Sequence, residues 1–237
     1  MATVLVPEIG ARPGAVAPWR HTAILLGFFV LAAAAGAARH GRAPAGTLVA
    51  QRPGVALLYL SLLAGEWGLV YYVWKGGLRP RGVTLRELVG GRWAGPRAVF
   101  LDVLLAFAIW ILWQGLAFAW MRWSGPGSAA SIAPLLPQGM AEAGLWVLLS
   151  VSAGISEEIV FRGYLQRQFM AYTGSTPLAL FLQVAVFGAA HLYQGAGAAL
   201  GIAVYGALFT LLALWRKSLR PGMIAHAWTD TAGGLLG

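Results

Sequence analysis

Apolar residues in this chain neither alternate nor recur in stripes. They come in unbroken runs, at about 22–38, 55–74, 98–121, 141–160, 177–193, 198–214 and 222–236. Each run is close to the roughly 20 residues that an α-helix needs to cross a bilayer. Hydrocarbon offers no partner to a free backbone N–H or C=O, and continuous runs lack the two-residue alternation of a barrel strand, so helices are predicted rather than a β-barrel. The expected fold is all-α: a polytopic membrane helical bundle of about seven (six to eight) transmembrane helices. Proline marks the loops at Pro44, Pro53, Pro80, Pro96, Pro126, Pro134, Pro137, Pro177 and Pro221, outside the runs or at their starts. The chain divides into an N-terminal segment 1–21, helices over 22–123 and a second helical part over 140–237. Gly197 and Gly201 have the small-xxx-small spacing that lets membrane helices approach closely.

Composition agrees. Hydrophobic residues make up 59% of the 237 positions and charged residues only 11%, against about 25% in soluble domains. The formal charge of +9 does not point to nucleic acid, because the basic residues sit in short loops beside apolar runs rather than on one soluble face. They read as topology signals instead. Thirteen fall on the N-terminal side of the seven runs: Arg12, Arg20, Lys75, Arg79, Arg81, Arg86, Arg92, Arg97, Arg162, Arg167, Arg216, Lys217 and Arg220. Arg39, Arg42, Arg52 and Arg122 fall on the other. By the positive-inside rule the N-terminus is cytoplasmic, in a multi-pass protein of the cytoplasmic (inner) membrane. Trp19, Trp74, Trp93, Trp123 and Trp215 lie at run ends, where interfacial anchors belong. A rival reading takes Arg20, the first run and "AAAAGAAR" as a signal peptide with a small-residue cleavage site. There is no cysteine, which excludes disulfides, thiolate metal sites and a cysteine nucleophile.

Ionisable residues inside the runs are the functional candidates, because each is costly in hydrocarbon. They are Glu66, Glu157, Glu158, His191, His226 and Asp230, with Asp102 near an end. In "SEEIVFRGYL", Arg162 follows Glu158 by four residues, a favourable helical pair, which leaves Glu157 as a carboxylate in low dielectric beside a like charge, the setting of a general base. A purely structural trio of buried ion pairs is the plainer alternative. "TGSTP" at 173–177 is a turn signal. Counted from residue 174, Glu157 and His191 are both 17 positions away, so an antiparallel hairpin sets them at one depth, about 25 Å from the turn. Phe187 lies one turn before His191. In "HAWTD", His226 and Asp230 share a face, but His226 counts as nearer the basic end than His191. Glu66 is expected to pair with another helix. A carboxylate base and two histidines suit water-mediated peptide hydrolysis, with or without a metal, while GxSxG, His-Glu-x-x-His and GxGD motifs are absent.

Three motifs in order, "EEIVFR", "FGAAH" and "HAWTD", resemble those of the CPBP family of intramembrane endopeptidases, the CAAX-protease and bacteriocin-processing group also called Abi proteins. The resemblance covers about residues 140–235. It implies a bundle of about eight helices with a site open to the cytoplasm, in which Glu157 activates water with His191, His226 and Asp230 stabilise the oxyanion, and Glu158 and Arg162 support the site. Asp230 stands where the prenyl-protein proteases have Asn. The resemblance leaves the cofactor open between a zinc held by Glu157, His191 and His226 and a metal-free glutamate mechanism. Its substrate would be a peptide or a membrane-associated, prenylated-type protein. Two other classes fit the residues: a non-catalytic immunity or scaffold protein of the same fold, and a proton-coupled transporter.

Overall fold

The computed structural model describes residues 14–40, 54–124 and 133–236, and every regular element among them is helical. The topology signals at Arg12, Arg42 and Arg52, and the loop residues 125–132, lie outside the described residues. The helices are α1 (Trp19–His40), α2 (Val55–Tyr72), the short α3 (Leu85–Leu88), α4 (Pro96–Ser124), α5 (Met140–Glu157), α6 (Gln166–Thr173), α7 (Thr176–Ala190), α8 (Ala196–Arg216) and α9 (Arg220–Leu236). Each of the seven apolar runs lies on a helix. By length and composition five helices are able to cross a membrane. The other two, α7 with 15 residues and α9 with 17, fall short of a full crossing at about 1.5 Å per residue.

Local chemistry explains the boundaries. Thr84 caps α3 through a reciprocal pair with Glu87, and Ser175 caps α7 by accepting from the Leu178 N–H, with a proline in the first turn. Gly174 ends α6 in the left-handed region at φ 63°, so the chain reverses at 174–175 as the turn signal predicts. Besides short 3-10 turns, two stretches among the described residues depart from α-geometry by widening. Val73–Leu78 after α2 and Glu158–Leu165 between α5 and α6 are π-helical, and the second joins α5 and α6 into one rod, Met140–Thr173. π segments are rare and concentrate at functional sites. Hydrophobic periodicity carries no signal for one.

The bundle exposes apolar side chains, as lipid demands, and encloses its polar side chains within an otherwise apolar core. Phe28, Leu57, Phe100, Phe118, Trp123 and Trp215 are exposed, whereas Asp102, Glu158, Arg162, Gln168, Gln183 and His226 are buried. Two polar knots hold one end together. Gln168 accepts from the Val16 and Ala17 N–H groups and donates to Thr22, tying α6 to the entry of α1. Asp102 of α4 accepts from Arg216 at 2.7 Å and from the Trp93 indole at 2.9 Å, with Arg220 at 3.4 Å. The starts of α1, α4 and α9 and the ends of α6 and α8 therefore meet at one end of the bundle.

Close helix contact falls on glycines other than the expected pair. A Cβ at Gly197 would meet nothing within 4 Å, and one at Gly201 only Trp113. At Gly154 a Cβ would stand 2.7 Å from the Ala227 nitrogen and 2.8 Å from the Met223 oxygen, so α5 and α9 touch backbone to backbone there. Gly154→Ala forces the two helices apart, and we expect it to cost about 1–3 kcal/mol, read as a lower thermal midpoint of the purified protein in detergent. An unchanged midpoint contradicts this packing.

Candidate active site

The rod carries Glu157 on the last turn of α5 and Glu158 on the first residue of the π segment. Arg162 donates from Nη1 to Glu158 Oε1 at 2.9 Å, and neither side chain has accessible surface. Its Nη2 donates to the Gly206 carbonyl at 3.0 Å, and the guanidinium lies over the Phe187 ring, 4.2 Å from its centroid. Gly206 permits this, since a Cβ there would stand 2.8 Å from Nη2. The expected Glu158–Arg162 pair therefore exists, and it is shared with α7 and α8.

His226 of α9 is the hub. Its Nδ1 is 3.3 Å from Glu158 Oε1. Glu158 Oε1 already accepts from Arg162, so in this hydrogen bond the histidine is the donor, which turns Nε2 towards Asp230 Oδ2 at 3.5 Å and Glu157 Oε2 at 3.7 Å. Phe209 stacks on the imidazole with centroids 5.3 Å apart, and Phe187 and Tyr205 meet it edge-on. Gly222, one turn before His226, lets α9 reach the pair, as a Cβ there would lie 3.0 Å from Glu158 Oε2.

His191 caps the end of α7, where its Nδ1 lies 2.8 Å from the Phe187 carbonyl. A carbonyl only accepts, so Nδ1 carries a proton, and in the neutral ring Nε2 is left as an acceptor. The expected offset in depth is present: His226 lies beside Phe187, one turn before His191. Asp230 closes the gap, because one turn beyond His226 it interacts electrostatically with His191 as well as with Glu157. Glu157 retains about a quarter of its side-chain exposure, and its Oε2 has no hydrogen-bond partner. It is the accessible carboxylate of the pair, and Glu158 the enclosed one.

Glu66 also belongs here. It accepts a hydrogen bond from Ser152 of α5, which fulfils the expected pairing with another helix, and it interacts electrostatically with Glu157, Asp230 and His226. Its place in an apolar run is the signal that singles it out; its role is not in any motif. Tyr193, just after His191, interacts in the same way with Glu157 and Asp230 and had no sequence signal. Among the described residues, no group of three or more His, Cys, Asp or Glu side chains is arranged to hold a metal ion. Glu157, His191 and His226 do not form such a set.

Removing Arg162 strands a buried carboxylate. Arg162→Ala is expected to destabilise the protein by about 3–5 kcal/mol, and a second change, Glu158→Leu, to recover part of that loss; denaturant titration of both variants in detergent checks it. An additive loss in the double variant would count against the pair.

No curated protein and no solved structure matches the chain. Residues 138–232, which carry every side chain of this cluster except Glu66, match the family model of the Rce1-like type II CAAX prenyl endopeptidases, in agreement with the resemblance of the three motifs to the CPBP family.

Proposed function

We propose that the protein is an intramembrane endopeptidase that hydrolyses a peptide bond of a membrane-associated, prenylated-type substrate, with its N-terminus and site on the cytoplasmic side of the inner membrane. The observation that carries this reading is the unpartnered Oε2 of Glu157, held 3.7 Å from Nε2 of a histidine whose other nitrogen is already engaged.

In this reading Glu157 takes a proton from water while His191, presenting Nε2, holds that water. The oxygen attacks the scissile carbonyl carbon and the carbonyl π electrons move onto oxygen. A protonated His226 donates from Nε2 to the resulting oxyanion, countering the new negative charge. Collapse of the intermediate expels the amine, which receives the proton stored on Glu157, leaving a carboxylic acid and an amine. Asp230, whose carboxylate has no donor proton when ionised, serves by orienting and charging His226 rather than by donating to the oxyanion. Glu158 and Arg162 fix His226 from behind.

The test incubates purified protein with host membrane proteins, with and without a chelator, and identifies new termini by mass spectrometry. Wild-type protein is expected to generate defined termini, and Glu157→Gln to lower their rate by about 10²–10⁴ with its thermal midpoint retained. Cleavage undiminished in that variant, or no cleavage by wild type, overturns the catalytic reading. The chelator arm reports whether a metal takes part.

His226→Gln separates donor from base. Gln retains a neutral donor but loses the imidazolium, so its expected effect is a fall in kcat with KM little changed, since oxyanion stabilisation arises only in the transition state. A rise in KM alone would assign His226 to substrate binding.

A further inference from the structure

Arg162 lines a second space that hydrolysis does not use. A cavity of about 330 Å³ opens between the π segment, α6 and α8, with Gln166, Arg167, Thr210, Leu211 and Trp215 among its walls. Its polar lining is buried and incompletely bonded. Arg162, Gln166 and Arg167 are 3%, 4% and 7% exposed, and the Arg162 Nε–H and both amide atoms of Gln166 have no hydrogen-bond partner within the protein. Arg167 makes no ion pair among the described residues. The carboxylate it interacts with is Glu87, which is half-buried and whose Oε2 accepts from the N–H and hydroxyl of Thr84.

Arginine does not shed its proton in response to burial, so a buried guanidinium calls for an anion. Arg167, the Nε–H of Arg162 and the Gln166 amide bring donors to the lining of one cavity, a set suited to a phosphate. The rim has the opposite character. Leu211 and Trp215 are 54% and 69% exposed on the lipid-facing side of α8. Trp215 also adjoins Arg216 and Lys217 at the end where the Asp102 knot gathers helix ends. A polar floor beneath an apolar rim, at an interfacial level, matches an amphiphile with an anionic head. We propose that this cavity binds the phosphate of a phospholipid from the leaflet at that end, with its acyl chains running along Leu211 and Trp215. The bound phosphate would touch Arg162 at the nitrogen not used by Glu158 or Gly206, so lipid occupancy and the glutamate pair share one guanidinium.

The test uses the full chain in detergent and native mass spectrometry. It is titrated separately with dioleoylphosphatidylglycerol, dioleoylglycerol and inorganic phosphate. Phosphatidylglycerol is expected to bind one to one, and about tenfold more weakly to Arg167→Gln and to Gln166→Leu. Dioleoylglycerol, which lacks the phosphate, is expected not to be retained. Inorganic phosphate binding as tightly as the lipid would overturn the lipid source while keeping the anion chemistry. Wild-type affinity in Arg167→Gln, or equal retention of dioleoylglycerol, would overturn the site altogether. Should Arg167→Gln fail to fold, Arg167→Lys keeps charge and bulk while losing the fork, and it is expected to bind a few-fold more weakly; wild-type affinity in both Arg167→Lys and Gln166→Leu would then overturn the proposal.

Discussion

A guanidinium without accessible surface cannot be left unanswered in a bundle surrounded by hydrocarbon, and the response to Arg162 organises the centre of this protein. One nitrogen is met by Glu158, another by the Gly206 carbonyl, and the face of the cation by Phe187. Holding Glu158 in this way determines which imidazole nitrogen of His226 faces it. That in turn directs the remaining nitrogen to Glu157 and Asp230. One buried cation thus sets the orientation of a chain of groups drawn from three elements.

That chain needs close helices. Lipid supplies no hydrophobic force between membrane helices, so they are held by packing and by polar contacts inside. Backbone contact between α5 and α9 at Gly154, and the absence of a side chain at Gly206 and Gly222, bring the carboxylates, the guanidinium and the imidazole within bonding range. The Gln168 and Asp102 knots perform the same service at one end, joining α1 to α6 and α4 to α8 and α9. These polar groups are buried and paired because each would be costly facing lipid.

Much of the site was legible before any coordinates. Glu157, Glu158, Arg162, His226 and Asp230 of the motifs meet in the structure, the turn at 174–175 follows from its local signal, and counting residues gives the sense of the depth offset between the two histidines, which is one turn of α7. Other features were not. Gly197 and Gly201 satisfy a spacing rule yet bring no neighbouring backbone close, because the rule describes which residues permit contact and not which faces receive it. Glu66 was conspicuous as an acid in an apolar run, but its neighbours depend on which face of α2 meets α5. The π segment was invisible, since one extra residue per turn leaves the hydrophobic pattern of a buried rod unchanged.

The sequence by itself determined the helical class, the approximate placement of the apolar helices and the residues able to do chemistry, because hydrophobic run length and local hydrogen-bonding needs are properties of neighbours along the chain. Tertiary structure alone decided that His226, rather than His191, stands at the centre of the carboxylates. It also decided that Arg162 keeps a third nitrogen without a hydrogen-bond partner and that its side chain borders a cavity. Both depend on how far apart helices stand and how each is rotated, quantities set by contacts between residues dozens of positions apart, where no local pattern records them.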